Sequence, residues 1–261
     1  MPDTVLAIDI GNTTTQVGAF TNGQLVFSFR LASTHTRTID EAALLLKQLL
    51  ADAGIAPSAL AGAVIASVVP VLTPVIEAAV TAVVGHKPYN VTHQSRLTVR
   101  LEVPYPEQIG ADRIANAEGF WVEHRCAGIV VDFGTATTFD VITKDGAYIG
   151  GAITPGVETS GDRLSQKAAQ LFKVAVAQPT SPIGNTTEDA LRAGLYYGTI
   201  GAVDEIVSRI VSLIDGSAKV VATGGLAPLV AAGSKTIQAT DPILTLKGLL
   251  AIFQANQPRV A

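Results

Sequence analysis

The sequence predicts an α/β protein of two similar halves, each with a mixed sheet flanked by helices. Three observations carry that prediction. Short apolar runs rich in Val and Ile alternate with amphipathic stretches of helical period. Two pairs of runs close on Gly-containing turns, which puts antiparallel hairpins into sheets that also hold crossover connections. A motif also recurs: Leu6-Ala7-Ile8-Asp9-Ile10-Gly11-Asn12-Thr13-Thr14 is echoed near mid-chain by Ile129-Val130-Val131-Asp132-Phe133-Gly134-Thr135-Ala136-Thr137-Thr138.

In chain order, Val5–Ile10 reads as a buried strand. Gln16–Phe20 and Gln24–Arg30 bracket Thr21-Asn22-Gly23, a hairpin turn. Thr38-Ile39-Asp40-Glu41 is a capping box, and the helix behind it runs through Leu44, Leu45, Leu49 and Leu50 to a stop at Gly54. Ala63–Val69 is a second buried strand, with a turn at Pro70 and a helix from about Pro74. A helix begins just after Gly110, with Ile114, Ala117, Trp121 and Arg125 on one face. Ile129–Asp132 is a strand. Phe139–Thr143 and Tyr148–Gly150 form a hairpin around Lys144-Asp145-Gly146. A long helix spans about Glu188 to Asp215, capped by Thr186 or Thr187. Lys219–Ala222 is a late strand, and a last helix covers about Thr245–Gln254.

Composition narrows the function. Hydrophobic residues make up 48% of the 261-residue chain and charged residues 15%, which supplies a core and excludes wholesale disorder. Acidic residues outnumber basic ones 22 to 18, so the basic footprint of a nucleic-acid binder is absent and no nucleic-acid partner is expected. The single cysteine, Cys126, excludes an intrachain disulfide framework, and the four histidines form no zinc-type pair. A lone thiol and an acidic balance fit a cytoplasmic protein. The start Met1-Pro2-Asp3-Thr4 has no basic region of a signal peptide. The apolar stretch Gly62–Gly85 holds one charge, Glu77, but Pro70 and Pro74 split it below the ~20 residues of a membrane span. No membrane partner is expected.

The repeated Asp-x-Gly turn points to nucleotide chemistry. A glycine lets backbone N–H groups approach a phosphate closely, and Thr and Asn side chains add donors. An aspartate beside the phosphates can hold a hydrated Mg²⁺. Two similar halves facing each other would form a cleft with both turns at its floor, the usual home of a ligand. Singly, each motif reads as an ordinary turn; the duplication favours phosphate binding. Other nucleotide motifs are missing: no two glycines stand two apart, and in Gly233-Ser234-Lys235-Thr236 the lysine does not follow glycine directly.

Further glycine clusters keep two readings each. Thr223-Gly224-Gly225 either lets an adenosine lie against backbone or is a plain strand-to-helix turn. In Gly110-Ala111-Asp112-Arg113, Asp112 either complements a helix dipole or presents a base, and Arg113 suits a carboxylate or phosphate. Gly151–Gly156 follows a strand as ligand-packing backbone or a turn. Gly194, Gly198 and Gly201 share one side of the long helix, for close packing within the subunit or across a dimer.

Together these residues resemble the type III pantothenate kinases, of the acetate-kinase, sugar-kinase, heat-shock-chaperone and actin superfamily. The matching segments run nearly the full chain: Asp9-Ile10-Gly11-Asn12-Thr13, Ser67-Val68-Val69-Pro70, Gly110-Ala111-Asp112-Arg113-Ile114, Asp132–Thr138, Gly151–Gly156, Thr223-Gly224-Gly225 and Leu244-Thr245-Leu246-Lys247-Gly248. The pair Gly-Ala-Asp-Arg and Asp-Phe-Gly-Thr-Ala-Thr-Thr is the specific part.

The resemblance implies two actin-like (ribonuclease H-like) domains and ATP-dependent phosphorylation of pantothenate to 4′-phosphopantothenate, the first step toward coenzyme A. Residues 1–113 would form the ATP-phosphate domain, and 114–261 the domain with cation, adenosine and dimer elements. By resemblance, Asp9, Ile10, Gly11, Asn12, Thr13, Thr14, Thr15 and Gln16 form the ATP phosphate loop, with Asp9 near Mg²⁺ through water, and Thr135 is a further ATP contact. Gly110, Ala111, Asp112 and Arg113 form the pantothenate site, with Asp112 the catalytic base and Thr187 a further contact. Asp132 holds a monovalent cation, K⁺ or NH₄⁺. The implied partners are Mg-ATP, pantothenate and a second copy in a homodimer. Three positions depart from the family pattern. Gly184-Asn185-Thr186-Thr187 stands for Gly-Lys-Asn-Thr, Val103 for a tyrosine (with Tyr105 two residues on), and Thr14 for a commoner Asn. A second reading keeps nucleotide binding without chemistry, as a regulatory protein; a third is a kinase or phosphatase of the superfamily with another substrate.

Overall fold

The computed structural model describes residues 4–167, 171–214 and 217–257. They separate into two compact units, one of residues up to 124 together with those from 243 onward, the other of residues 125–242.

The first unit opens with β1 (Thr4–Ile10), β2 (Thr14–Thr21) and β3 (Gln24–Ala32), an antiparallel meander. Asn22 and Gly23 take φ of 53° and 79°, the pair of left-handed residues a two-residue hairpin turn of matching twist requires. Helix α1 (Ile39–Asp52) follows; Thr38 accepts from Glu41 N at 3.2 Å, and Glu41 Oε2 accepts from Thr38 N at 2.8 Å, closing the expected capping box. Strand β4 (Leu60–Ser67) returns parallel to β1, α2 (Thr73–Val84) starts with proline in its first turn, and β5 (Tyr89–Asn90) completes the order β3-β2-β1-β4-β5. A two-residue strand β6 (Arg100–Leu101) then precedes α3 (Ala111–His124). Arg125, expected on the α3 face, leaves the helix with φ 48°.

β1 is apolar throughout because both of its faces are covered. Val5 and Ala7 pack with Ile114, Leu246, Leu249, Ile252 and Phe253; Leu6, Ile8 and Ile10 pack with Leu46, Leu50 and Val80 of α1 and α2.

The second unit repeats the plan. Strands β7 (Gly128–Phe133), β8 (Ala136–Ile142) and β9 (Ala147–Pro155) form a meander, β10 (Lys219–Gly224) runs parallel to β7, and β11 (Ala239–Thr240) parallel to β10. Their order, β9-β8-β7-β10-β11, matches that of β3-β2-β1-β4-β5 strand for strand. Between β9 and β10 lie α4 (Val157–Lys167) and α5 (Thr187–Leu213), and α6 (Ala227–Ala231) follows β10. The Asp215 end expected for the long helix lies outside the described residues. Ile129, Val131 and Phe133 pack with Tyr196, Val203 and Val207 of α5.

Three differences from the sequence reading have physical causes. Residues 151–155, expected beyond the strand, continue β9, because a Cβ at Gly151 would strike Phe139 O and only glycine admits that approach. Helix α4 was not foreseen; its short stretch is mostly polar, with one buried residue, Val157. The units divide after His124 rather than after Arg113, and the last helix, α7 (Leu244–Asn256), joins the first unit. There it packs along α3 at backbone contact: a Cβ at Gly119 would stand 2.6 Å from Leu244 O, and one at Gly248 would strike Ala115 O. Thr245 Oγ1 donates to Asn116 Oδ1 at 2.6 Å within this contact, and Lys247 pairs with Glu123 at 2.8 Å.

Candidate active site

In the first unit the strand-to-hairpin turn is closed by Gly11 N donating to Thr14 O at 3.1 Å. A Cβ at Gly11 would lie 2.9 Å from that same oxygen, so the turn excludes side chains there. Asp9 stands one residue before the end of β1, in register with Gln16 of β2 and Ala66 of β4. Asn12, Thr13 and Thr14 are exposed at the tip, whereas Thr15 is buried. Ser33 ties the turn from behind: its Oγ donates to Gly11 O at 2.6 Å, its N donates to Thr13 O at 2.9 Å, and Thr15 Oγ1 lies 2.9 Å from its Oγ. Gln16 reaches back along the hairpin to Ser28 Oγ at 3.1 Å. Of the eight-residue loop read from sequence, the structure thus leaves Asn12, Thr13 and Thr14 facing solvent and turns Thr15 and Gln16 to support.

The Gly110–Arg113 turn lies close to this loop. Val68 N donates to Ile10 O at 3.1 Å, and Val68 Cγ1 would be 3.2 Å from a Cβ on Gly110. The end of β1, the Ser67-Val68-Val69 segment and the start of α3 therefore meet within one unit. Asp112 occupies the first turn of α3, with Oδ1 accepting from Arg113 N at 2.7 Å. Burial raises its pKa above the ordinary aspartate value; the Arg113 backbone N–H and guanidinium oppose that only in part. Ala111 is buried beside it, and Gly110 makes room: a Cβ there would stand 2.5 Å from Asp112 Oδ1.

The second unit carries the matching turn, one residue tighter: Gly134 N donates to Ala136 O at 3.0 Å. Thr135 O accepts from Gly156 N at 3.1 Å and from Thr159 Oγ1 at 2.8 Å, which ties the turn to the start of α4. Asp132 pairs in register with Thr138 of β8 and Thr223 of β10, and Gly224, at φ 89°, leaves space a Cβ would take from Asp132 Oδ1 at 2.6 Å. Thr187 is the exposed first residue of α5, beside the cap Thr186, whose Oγ1 accepts from Asp189 N at 3.1 Å. The hydrogen bonds described bring Thr135, Gly156 and Thr159 together but do not extend to Thr187.

The donors suit a hard cation: Asp9 and Asp132 each offer one carboxylate at a glycine turn, among hydroxyl and carbonyl oxygens. Among the described residues no group of three His, Cys, Asp or Glu side chains assembles. Two contributors escaped the sequence reading. Ser33 has no motif of its own and is legible only once the hairpin register sets it behind Gly11. Val68 belongs to a segment recognised by resemblance but given no role.

The remaining motif has an internal occupant. The backbone N–H groups of Lys235 and Thr236 and the hydroxyls of Ser234 and Thr236 all donate to the Asp204 carboxylate, at 2.6–3.2 Å. Burial alone would raise the Asp204 pKa, but these bonds outweigh it and lower it.

Duplicated Asp-x-Gly hairpin turns in twin mixed sheets place the chain in a fold class that known proteins share. Solved structures share the fold: an ethanolamine utilization protein, EutJ, from Carboxydothermus hydrogenoformans (TM-score 0.58, 17% identity, 97% of this chain and 90% of that one) and a ROK family glucokinase from Streptomyces griseus in complex with glucose and AMPPNP (TM-score 0.51, 14% identity, 98% and 100%). The family model for type III pantothenate kinase matches residues 5–209. Type III pantothenate kinases from Anaeromyxobacter sp. (strain K) and Dehalococcoides mccartyi are 44% and 41% identical, covering 97% and 98% of this chain and 100% of each relative. The chain belongs to the type III pantothenate kinase family. It transfers phosphate from ATP, with a divalent metal, to pantothenate in coenzyme A biosynthesis.

Proposed function

We propose that Asp112 is the catalytic base and that the transfer is built around the junction of β1, Val68 and α3. The observation that carries this reading is the bridge through Val68, which brings the Gly11 turn and the Gly110–Arg113 turn together. In the proposed reaction the primary hydroxyl oxygen of pantothenate forms a bond to the γ-phosphorus as the bond from that phosphorus to the β-bridging oxygen breaks. ADP leaves, and the hydroxyl proton passes to an Asp112 carboxylate oxygen. Such transfers pass through loose transition states, so the base mainly orients the nucleophile and takes its proton late. A raised pKa makes Asp112 a better acceptor than an ordinary aspartate at ~3.9. The Arg113 guanidinium offers a fork of donors for the pantothenate carboxylate.

Asn12, Thr13 and Thr14, with the backbone N–H groups of their turn, hold the ATP phosphates, while Thr15 and Gln16 brace the loop. Thr135 contacts ATP from the second turn. Asp9 would hold the divalent cation through water, which supplies charge neutralisation of the phosphates when bound. Asp132 holds K⁺ or NH₄⁺, and Thr187 adds a substrate contact. The chain works as a homodimer. Support comes from α5, where a Cβ on Gly194, Gly198 or Gly201 would meet nothing within 4 Å among the described residues. Of the two packing readings for that glycine face, the one across a dimer is kept. Cytoplasmic residence is supported by the lone Cys126 and the acidic balance.

The test is ADP release by purified protein with Mg-ATP and pantothenate, with and without K⁺ or NH₄⁺, for the parent chain and Asp132→Asn. Turnover stimulated by either cation, with the stimulation lost in the variant, is expected. Cation-independent turnover overturns the Asp132 assignment.

A further inference from the structure

Glu118 is a fully buried carboxylate that the phosphoryl transfer does not use, at 0% exposure. Its oxygens receive hydrogen bonds from two neighbouring residues of another segment. Thr98 N donates to Oε1 at 3.0 Å and to Oε2 at 2.9 Å, Thr98 Oγ1 to Oε1 at 2.7 Å, and Val99 N to Oε2 at 3.1 Å. Bonds from backbone N–H groups to an ionised acceptor are among the strong ones. Six residues along a helix turn through about 240°, so Glu118 and Asp112 leave α3 on different faces. Any effect of Glu118 on the reaction is therefore exerted through the backbone it holds.

That backbone leads to the substrate turn. Residues 100–109 lie between the Glu118 clamp and Gly110, where the chain enters α3. Both ends of the segment are thus fixed to one helix, one by the carboxylate and the other by covalent continuity. Between them the segment is stiffened by Pro104 and Pro106 and folded by Gln108 N donating to Tyr105 O at 3.1 Å and Ile109 N to Pro106 O at 3.2 Å. It presents Tyr105 to solvent at 62% exposure. A short segment held at both ends loses little further freedom when a ligand settles on it, which is preorganisation.

We infer that Glu118 is a positioning residue for pantothenate: by clamping Thr98 and Val99 it fixes the 100–109 segment that runs into the Gly110–Arg113 turn. This rests on the reading of that turn as the substrate site. Unlike Asp112, Glu118 acts on binding rather than on the chemical step.

Glu118→Gln tests it. The change keeps the volume but, because Thr98 N bonds both carboxylate oxygens, sets an amide N–H group against the Thr98 N–H in either flip, two donors facing each other. The expected result is a pantothenate KM raised about 10-fold, with kcat and the ATP KM within about threefold, since uniform binding is lost. Amide exchange at Thr98 and Val99 should quicken in step. Should that variant fail to fold, Thr98→Val removes only the hydroxyl donor, and a pantothenate KM raised about threefold is expected. Faster exchange with an unchanged pantothenate KM, in either variant, overturns the proposal while leaving the substrate site intact. A parent protein without pantothenate-dependent turnover overturns the substrate reading first, and this proposal with it.

Discussion

Gly110→Ala separates geometry from fold at the proposed base. The glycine is outside the left-handed region, so alanine meets no backbone penalty and stiffens the unfolded chain by about 0.4–1 kcal/mol in favour of folding. The new Cβ, however, would stand 2.5 Å from Asp112 Oδ1 and 3.2 Å from Val68 Cγ1. Carbon and oxygen in contact keep about 3.3 Å or more, so the carboxylate oxygen must retreat by roughly 0.8 Å. That retreat strains the 2.7 Å bond from Arg113 N, which orients the carboxyl. A displacement near 1 Å in a catalytic group costs about 10²-fold in rate. The expected outcome is a kcat lowered about 100-fold in coupled ADP release, with a melting temperature within about 3 °C of the parent. Parent-like kcat in a folded Gly110→Ala protein would refute the placement of Asp112 at the reacting hydroxyl.

Asp112→Asn should lower kcat by about 10²–10⁴-fold while ATP still binds, checked by single-turnover kinetics and nucleotide titration. Because burial raises the Asp112 pKa, the basic form appears only above the ordinary ~3.9, so kcat/KM should rise with pH along an acid limb lying above that value. The stability linkage runs the other way: the contribution of Asp112 is fully present below ~3.9 and lost as pH climbs through the raised value, as denaturant titration across that window should show. Asp9→Asn should raise the Mg²⁺ concentration for half-maximal rate by about 10-fold or more, read from a Mg²⁺ titration of turnover. Gly248→Ala drives a methyl against Ala115 O; overpacking of about 1–3 kcal/mol should lower the melting temperature by several degrees, and an unchanged melting curve would deny the close α3–α7 approach.

Much of the fold was legible because its signals are local. Asn22-Gly23 sets one hairpin and Gly146, at φ 82°, the other; Thr38 and Glu41 start α1 as their spacing requires. The repeated Asp-x-Gly turn points to two similar halves, and five strands of each sheet do share one order. Contacts between distant segments left no local trace. Periodicity gives α7 an apolar face but does not say that the face belongs against β1 and α3. Glu118 belongs to no sequence motif, and only the fold reveals the Thr98 and Val99 donors it meets. The Gly151–Gly156 stretch reads as ligand-packing backbone or a turn because the packing partner of Gly151, Phe139 O, lies on the neighbouring strand. The site divides the same way: its turns were visible as motifs, whereas the brace at Ser33 required the register of the hairpin.

The place of α7 sets an order on synthesis. Residues 125–242 are contiguous, so the second unit holds its own core partners as soon as they are made. The first unit does not: Thr245 meets Asn116 across 129 residues of chain, and Leu246, Leu249 and Phe253 complete the apolar face of β1. The earliest strands therefore wait with one face uncovered until α7 emerges, a long-range closure of the kind that slows folding and invites chaperone capture. The same delay keeps α3 unseated until then, so the proposed base acquires its fixed position only once Leu244–Asn256 has been made.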